Sequence, residues 1–202
     1  SSVGDLCVKS YARPKPLCPA YGLRSWKGLM TLCFNGIPTA EPVAVVVRKD
    51  GTSILITKLI PGRDLNRVLY HDYPLMGARQ KLALARELGK LIGRMHMYRI
   101  YHADLKTSNI KVAGYPASFV LMDTDKVSQA RSLSRRRRIK NMVQINTTVP
   151  RHISRSTRMA FIHAYAEFTG DDPRGLFRSV WKASSHMTIA YGTDEGGRSE
   201  RW

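Results

Sequence analysis

An octapeptide and a tripeptide constrain this chain more than anything else in it. Residues 102–109 read HADLKTSN, and Asp123 opens the tripeptide DTD at 123–125. Between them lie the apolar runs IKV and FVLM, separated by GYPAS. A Gly/Pro turn between apolar runs predicts a β-hairpin. Antiparallel neighbours lie roughly 5 Å apart, so the hairpin brings Asn109 and Asp123 together at its open mouth. An amide oxygen beside a carboxylate suits a hard divalent cation such as Mg²⁺. Asp104, on the loop just before, is within reach of a substrate hydroxyl, and Lys106 is placed to contact a transferring phosphate. A base, two metal ligands and a cation in one place are the parts of phosphoryl transfer, a reaction catalysed by positioning and charge neutralisation.

The remaining chain is compatible with that chemistry. Its 202 residues suffice for one large domain or two small lobes around one cleft. A hydrophobic fraction of 43% excludes disorder by composition. Thirty-three Lys and Arg against fifteen Asp and Glu leave +18, a field that favours nucleic acid, acidic lipid or a phosphorylated substrate. The three cysteines, Cys7, Cys18 and Cys33, have neither an even count nor a repeated spacing, which argues against a disulfide framework and for a reducing compartment. No Cys/His cluster has zinc spacing. No apolar run reaches the roughly 18 to 20 residues of a membrane span, and no signal peptide opens the sequence. The absent initiating Met reads as a fragment or a processed form.

LCVKSYA, residues 6–12, reads as a short strand, followed by the connector RPKPLCP. Residues 21–34 predict a helix, with Leu23, Trp26, Leu29, Met30 and Cys33 sharing a face. Gly22 and Gly28 count against it. NGIPTAEP ends it. PVAVVVRK and TSILITKLI flank Asp50-Gly51, the clearest hairpin signal in the chain. Asp64 in PGRDL is placed to cap a short helix. Residues 79–97 carry the strongest helical periodicity, with Leu82, Ala85, Leu88, Leu91, Ile92 and Met95 as a core stripe. His96 and Trp26 also read as packed side chains, and Tyr101 as packed beside the loop. Helices are expected around 137–147 and 155–168, the second capped by Ser154 or Ser156. The elements read as α+β: a small sheet-bearing part over 1–61, a mostly helical part over 62–190 and a disordered tail over 191–202.

HADLKTSN has the H-x-D-L-x-x-x-N spacing of a kinase catalytic loop, and DTD stands where such enzymes carry D-F-G, an acid replacing the glycine. Asp125 then either adds charge at the metal or caps the next turn. A kinase also needs a lysine on a small-lobe strand to hold the ATP phosphates. Lys9 in CVKSY fits by order: lysine strand, helix, hairpin, long helix, catalytic loop, metal aspartate. The segments CVKSY, NGIPTAEPVAV, ILITKLIPGRDL, YHADLKTSNIKV, VLMDTDKV, RRRRIKNMVQIN and ISRSTRMAFIHAY together resemble the lipopolysaccharide kinase family, the Kdo and heptose kinases of Gram-negative envelopes. The similarity spans roughly residues 5–168. The resemblance implies an α+β, protein-kinase-like bilobal fold, with a truncated small N-terminal lobe and hinge over 1–61 and a mostly helical catalytic C-terminal lobe over 62–190. It implies ATP and Mg²⁺ as cofactors and phosphorylation of a sugar hydroxyl in the lipopolysaccharide inner core. It also implies a peripheral position on the cytoplasmic face of the inner membrane.

Two departures stand out. Kinases pair the strand lysine with a helix glutamate, yet beside Trp26 this chain has Ser25. Residues 13–40 hold no acid, and Glu41 lies beyond the helix. Lys9 is then aimed by packing or by another carboxylate, Asp123 being the nearest by fold logic, and Ser25→Glu is expected to change activity little or to improve it. Secondly, no Gly-rich loop precedes Lys9, and Gly4 alone cannot supply one. Either two strands precede this sequence or the small lobe is abbreviated. His102 reads as a structural histidine holding the loop in preference to a base. Arg135, Arg136, Arg137 and Arg138, extended by Arg131 and Lys140, read equally as a solvated face and as a contact for anionic substrate or membrane. DTD alone also fits a nucleotide-sugar glycosyltransferase, a reading that leaves HADLKTSN unused. Three classes stay open. The first is a core-sugar kinase. The second is an inactive kinase-fold module binding nucleotide or anionic lipid. The third is a kinase acting on protein or RNA; nucleic acid is the least favoured partner. Acceptor identity and oligomeric state are not encoded in these motifs.

Overall fold

The β-branched runs around Asp50-Gly51 form the hairpin that their composition predicts. In this computed structural model, which describes residues 4–114, 118–193 and 196–201 and side chains as far as residue 188, the first four elements are β1 Leu6–Tyr11, α1 Tyr21–Phe34, β2 Pro42–Val47 and β3 Ser53–Lys58. β2 and β3 pair antiparallel. The Asp50 carboxylate accepts from the Thr52 amide at 2.9 Å, and Gly51 takes φ 86°, which a side chain resists. β1 pairs with the other edge of β3, giving the order β1-β3-β2. Alternation then sends Cys7, Lys9 and Tyr11 into the cleft and leaves Leu6 and Val8 exposed.

α1 covers the inner face of this sheet with a different stripe from the one its large residues predict. Its buried positions are Gly22, Ser25, Gly28, Leu29 and Leu32, whereas Cys33 and Phe34 are exposed. The small residues are the reason. A Cβ on Gly22 would meet the Ser53 hydroxyl at 2.8 Å, and one on Gly28 would meet the Thr124 carbonyl oxygen at 2.0 Å. The two glycines that count against a helix are the points where the helix approaches its neighbours most closely.

The chain then runs through β4 Arg63–Asp64, the single turn α2 Leu65–Arg67, α3 Ala78–Met97, β5 Ile100–His102, β6 Ile110–Ala113, β7 Ser118–Leu121, β8 Val127–Gln129, α4 Arg135–Asn146, α5 Arg155–Thr169 and α6 Pro173–Ser184. α3 is the axis of this helical part and packs along α5. It buries Leu84, Ala85, Leu88, Leu91, Ile92 and Met95; Leu82 of the expected stripe is only half-buried. Ser154 caps α5 by accepting from the Thr157 amide at 3.2 Å, a bond typically worth about 1 kcal/mol. Among the described residues two apolar clusters result. A large one joins the helices to the second hairpin, β6 and β7, and a small one joins Leu29, Ala40 and Leu55 under the first sheet. α1 belongs to both, through Leu29 and Leu32. Thr39, just after α1, ties it to the second hairpin by donating to the Leu121 carbonyl at 2.9 Å.

Within the span expected as a disordered tail, 191–202, β9 Thr188–Thr193 and β10 Gly196–Arg201 pair antiparallel, while 194, 195 and 202 lie outside the described residues. The polar composition of TDEGGRSERW hides the strand, but backbone pairing needs no apolar face. Among the described residues no helix is long and apolar enough to cross a membrane.

Candidate active site

Short strands and a buried polar stripe hold the catalytic-loop segment. β5 pairs with β8, and the Ala103 amide donates to the Lys126 carbonyl at 3.0 Å, so HADL and DTDK lie side by side. The fully buried His102 has both ring nitrogens engaged: Nε2 donates to the Met122 carbonyl at 2.9 Å, and Nδ1 accepts from the Asp104 amide at 3.2 Å. Burial lowers its pKa, although the Met122 carbonyl and the nearby aspartates pull the other way. A neutral ring bridging the two motifs is a positioning element. From α4, the Asn141 amide donates to the His102 carbonyl at 2.6 Å, and the Gln144 amide donates to the Ala103 carbonyl at 2.7 Å. Thr148 accepts from the Thr107 amide at 3.1 Å. His96 joins this network through Asn141 at 3.1 Å and Tyr165 at 2.9 Å. Burial pushes its pKa down to about 4. The arginine helix therefore supports the loop with its opposite face. Asn141, Gln144 and Thr148 go unsingled in the sequence reading, although three polar residues at helical spacing among apolar neighbours are a legible signal.

The hairpin closes as the turn residues predict. The Met122 amide donates to the Asn109 carbonyl at 2.9 Å, one residue before Asp123. The Asn109 side-chain amide donates to the Asp104 carbonyl at 2.8 Å, which turns its oxygen the other way. Asp123 adopts the left-handed region, φ 52° and ψ 57°, a conformation that Asp tolerates better than most residues. Asp125 lies in the 3₁₀ turn Thr124–Lys126 that follows. Among the described residues no three His, Cys, Asp or Glu side chains gather into a metal cage. One carboxylate and one amide oxygen instead match the Mg²⁺ habit of using few protein ligands together with substrate phosphates.

Lys9 reaches across the cleft. Its ammonium lies 2.6 Å from Asp123 Oδ1 and 5.0 Å from the Tyr11 ring centroid. Burial works against its charge, but the bond to Asp123, helped by Tyr11, raises its pKa above the ordinary value. Ser25 occupies the helix position facing this pair and is 2% exposed. Ser25 lines one cavity with Lys9, Tyr11 and Asp123, so a carboxylate introduced by Ser25→Glu would meet the Lys9 ammonium; little change or a gain in transfer stays the expected result, read by steady-state kinetics.

On the other side of the mouth, Asp104 Oδ2 lies 3.4 Å from both Lys106 and Lys126. Burial raises its pKa, but the two ammonium groups outweigh that and hold it below the usual carboxylate range. Lys126 is the charged residue that the sequence reading passes over. The fourth member of DTDK reaches Asp104 because β8 runs beside the loop. The arginine run is not one uniform patch. Arg138 pairs with Asp171 at 2.9 Å and is mostly covered, Arg137 lies over the Tyr101 ring at 5.3 Å, and Arg135 donates to Ser179 at 3.2 Å. Arg135, Arg136 and Arg137 are exposed.

A strand lysine paired with a hairpin aspartate, and a catalytic-loop aspartate beside an asparagine, define a protein-kinase-like phosphotransferase. The model of the lipopolysaccharide kinase (Kdo/WaaP) family matches residues 8–165, and the chain belongs to that family. Among solved structures, WaaP in complex with acyl carrier protein matches with a TM-score of 0.69 and 16% identity, over 89% of this chain and 78% of that one. A second match, the yeast RNA polymerase II CTD kinase complex CTDK-1, has a TM-score of 0.46 and 15% identity over 91% of this chain and 62% of that one. A comparison with curated protein sequences returns no match.

Proposed function

We propose that the chain transfers the γ-phosphoryl group of ATP to a hydroxyl of a lipopolysaccharide inner-core sugar, Kdo or heptose. The carrying observation is the opposition of two charged centres across one mouth: Lys9 on Asp123 at 2.6 Å, and Asp104 between Lys106 and Lys126, each at 3.4 Å. In this reading Asp104 takes the proton of the acceptor hydroxyl as its oxygen bonds to the γ-phosphorus and the bond to the ADP oxygen breaks. Lys106 neutralises the transferring group, and Lys9 holds the remaining phosphates. Asn109 and Asp123 would hold Mg²⁺, with Asp125 adding charge beside it; the ion neutralises phosphate charge when bound. His102 positions the loop. The small lobe with its hinge comprises residues 1–61 and the catalytic lobe residues 62–190.

The test is transfer of label from γ-labelled ATP to purified core oligosaccharide, with protein and RNA acceptors run beside it. Labelled oligosaccharide alone supports the reading. Labelled protein or RNA moves the chain to another acceptor class, and nucleotide binding without transfer leaves a kinase-fold binding module. Within the same assay, Lys9→Met should lower transfer roughly 10²-fold, the usual loss for one electrostatic donor. Full activity in that variant would remove Lys9 from the phosphates.

We infer that an enzyme with such an acceptor works at the cytoplasmic face of the inner membrane, with Arg135, Arg136 and Arg137 as the lipid or phosphosugar contact. Changing these three to Gln should weaken binding to anionic vesicles. Each contributes about 1 kcal/mol near a charged surface, and added salt should erode the difference. Arg138 is left in place because its removal strands Asp171. Unchanged vesicle binding at low salt would make the run a solvated face.

A further inference from the structure

Lys9 and Asp123 are joined a second time, through side chains that carry no charge. Tyr11 stands two residues along β1, on the same face as Lys9, and its hydroxyl donates to Ser25 Oγ at 3.0 Å. Ser25 Oγ lies 3.2 Å from Thr124 Oγ1. Thr124 Oγ1 donates to the Ser25 carbonyl at 2.9 Å. With that proton committed, Thr124 Oγ1 can only accept from Ser25, so the donors run one way: Tyr11 to Ser25, Ser25 to Thr124, Thr124 back to the helix backbone. Thr124 adjoins Asp123, and Asp123 closes the ring on Lys9.

The ring sits at the tightest backbone approach in the cleft. Gly28, one turn beyond Ser25, leaves no room for a Cβ against the Thr124 carbonyl, and Arg24 donates to the Asp125 carbonyl at 3.3 Å. Ser25 and Thr124 are 2% and 3% exposed, so water does not compete for these bonds. Asp123 meanwhile holds a left-handed conformation, which persists only when its surroundings enforce it.

We propose that Tyr11, Ser25 and Thr124 are positioning residues that stand in for the missing helix glutamate. Their hydroxyl relay docks α1 on the 124–126 turn and fixes both the Asp123 backbone and the Lys9 strand, so the nucleotide site is assembled without a charged partner on α1. The inference rests on the kinase reading and deepens it. A further consequence is that α1 does not swing to switch activity, because its contact with the turn is part of the site.

The test uses Thr124→Val, which keeps the shape and removes the hydroxyl, Thr124→Ser, which restores the hydroxyl, and Tyr11→Phe. The readouts are melting temperature and the affinity of a fluorescent ATP analogue with Mg²⁺ and with EDTA. Thr124→Val breaks both bonds of the Thr124 hydroxyl and should weaken Mg²⁺-dependent affinity about tenfold or more, with a smaller loss in EDTA through the loosened Lys9 strand. Thr124→Ser should return to within about twofold of the wild type, and Tyr11→Phe should lose about threefold. If Thr124→Val does not fold, the Tyr11→Phe and Thr124→Ser values decide alone. Wild-type Mg²⁺-dependent affinity in Thr124→Val and Tyr11→Phe overturns the relay while leaving the kinase reading intact. A wild-type chain that binds no Mg²⁺–ATP overturns both.

Discussion

Asp104→Asn is expected to keep Mg²⁺-dependent nucleotide affinity while phosphoryl transfer falls by roughly 10² or more, the loss typical of a positioned base. The substitution keeps the shape of the side chain. The backbone contacts that hold the loop do not depend on the carboxylate: Asn109 bonds the Asp104 carbonyl, His102 bonds its amide, and Gln144 bonds the neighbouring carbonyl. What is lost is the ability to take a proton, together with the counter-charge of Lys106 and Lys126. Because those two lysines depress the Asp104 pKa, its carboxylate is ionised at neutral pH and loses its charge only as pH falls below the usual carboxylate range. Lys126→Met should therefore move the acidic limb of the rate profile upward. Equal losses of binding and rate in Asp104→Asn would place Asp104 in the metal shell instead.

The second large effect concerns Asp123. Asp123→Asn and Asn109→Ala should both lose Mg²⁺-dependent nucleotide affinity, Asp123→Asn more severely. The better substitution at 123 is Asn rather than Ala, because the backbone there is left-handed and Asn tolerates that region. Asp123→Asn also deprives Lys9 of its partner, so Lys9 loses what raises its pKa. Titrating Mg²⁺ against a fixed nucleotide separates the two effects. A metal ligand shows in the Mg²⁺ dependence, and a phosphate clamp shows in EDTA as well. Unchanged Mg²⁺ dependence in both variants would sink the metal assignment.

Much of this site is local in sequence and was therefore legible. HADLKTSN and DTD lie on a single hairpin, so a turn signal and two apolar runs suffice to bring Asn109 beside Asp123. Helices α1 and α3 declare themselves by periodicity, and α5 by its cap. What stayed hidden depends on non-local contact. The three-residue strands β5 and β8 have no alternation of their own, so the approach of Lys126 to Asp104 could not be read. Ser25 looked like a missing acid because a kinase pattern demands one. Its partners, Tyr11 and Thr124, come from distant elements, and no spacing rule links them. Gly22 and Gly28 looked like helix breakers for the same reason: the atoms that need their absent side chains are Ser53 and Thr124. The arginine run was visible as charge, whereas the support that its helix gives the loop through Asn141 and Gln144 was not.

The central claim is that this hairpin-borne site phosphorylates a core sugar. The most direct measurement is the mass of core oligosaccharide after incubation with ATP, Mg²⁺ and either the wild-type chain or Asp104→Asn. The account predicts a gain of one phosphate on the sugar with the wild type and an unmodified oligosaccharide with Asp104→Asn over the same time. An unmodified sugar with both proteins, while Mg²⁺–ATP binds normally, would contradict it.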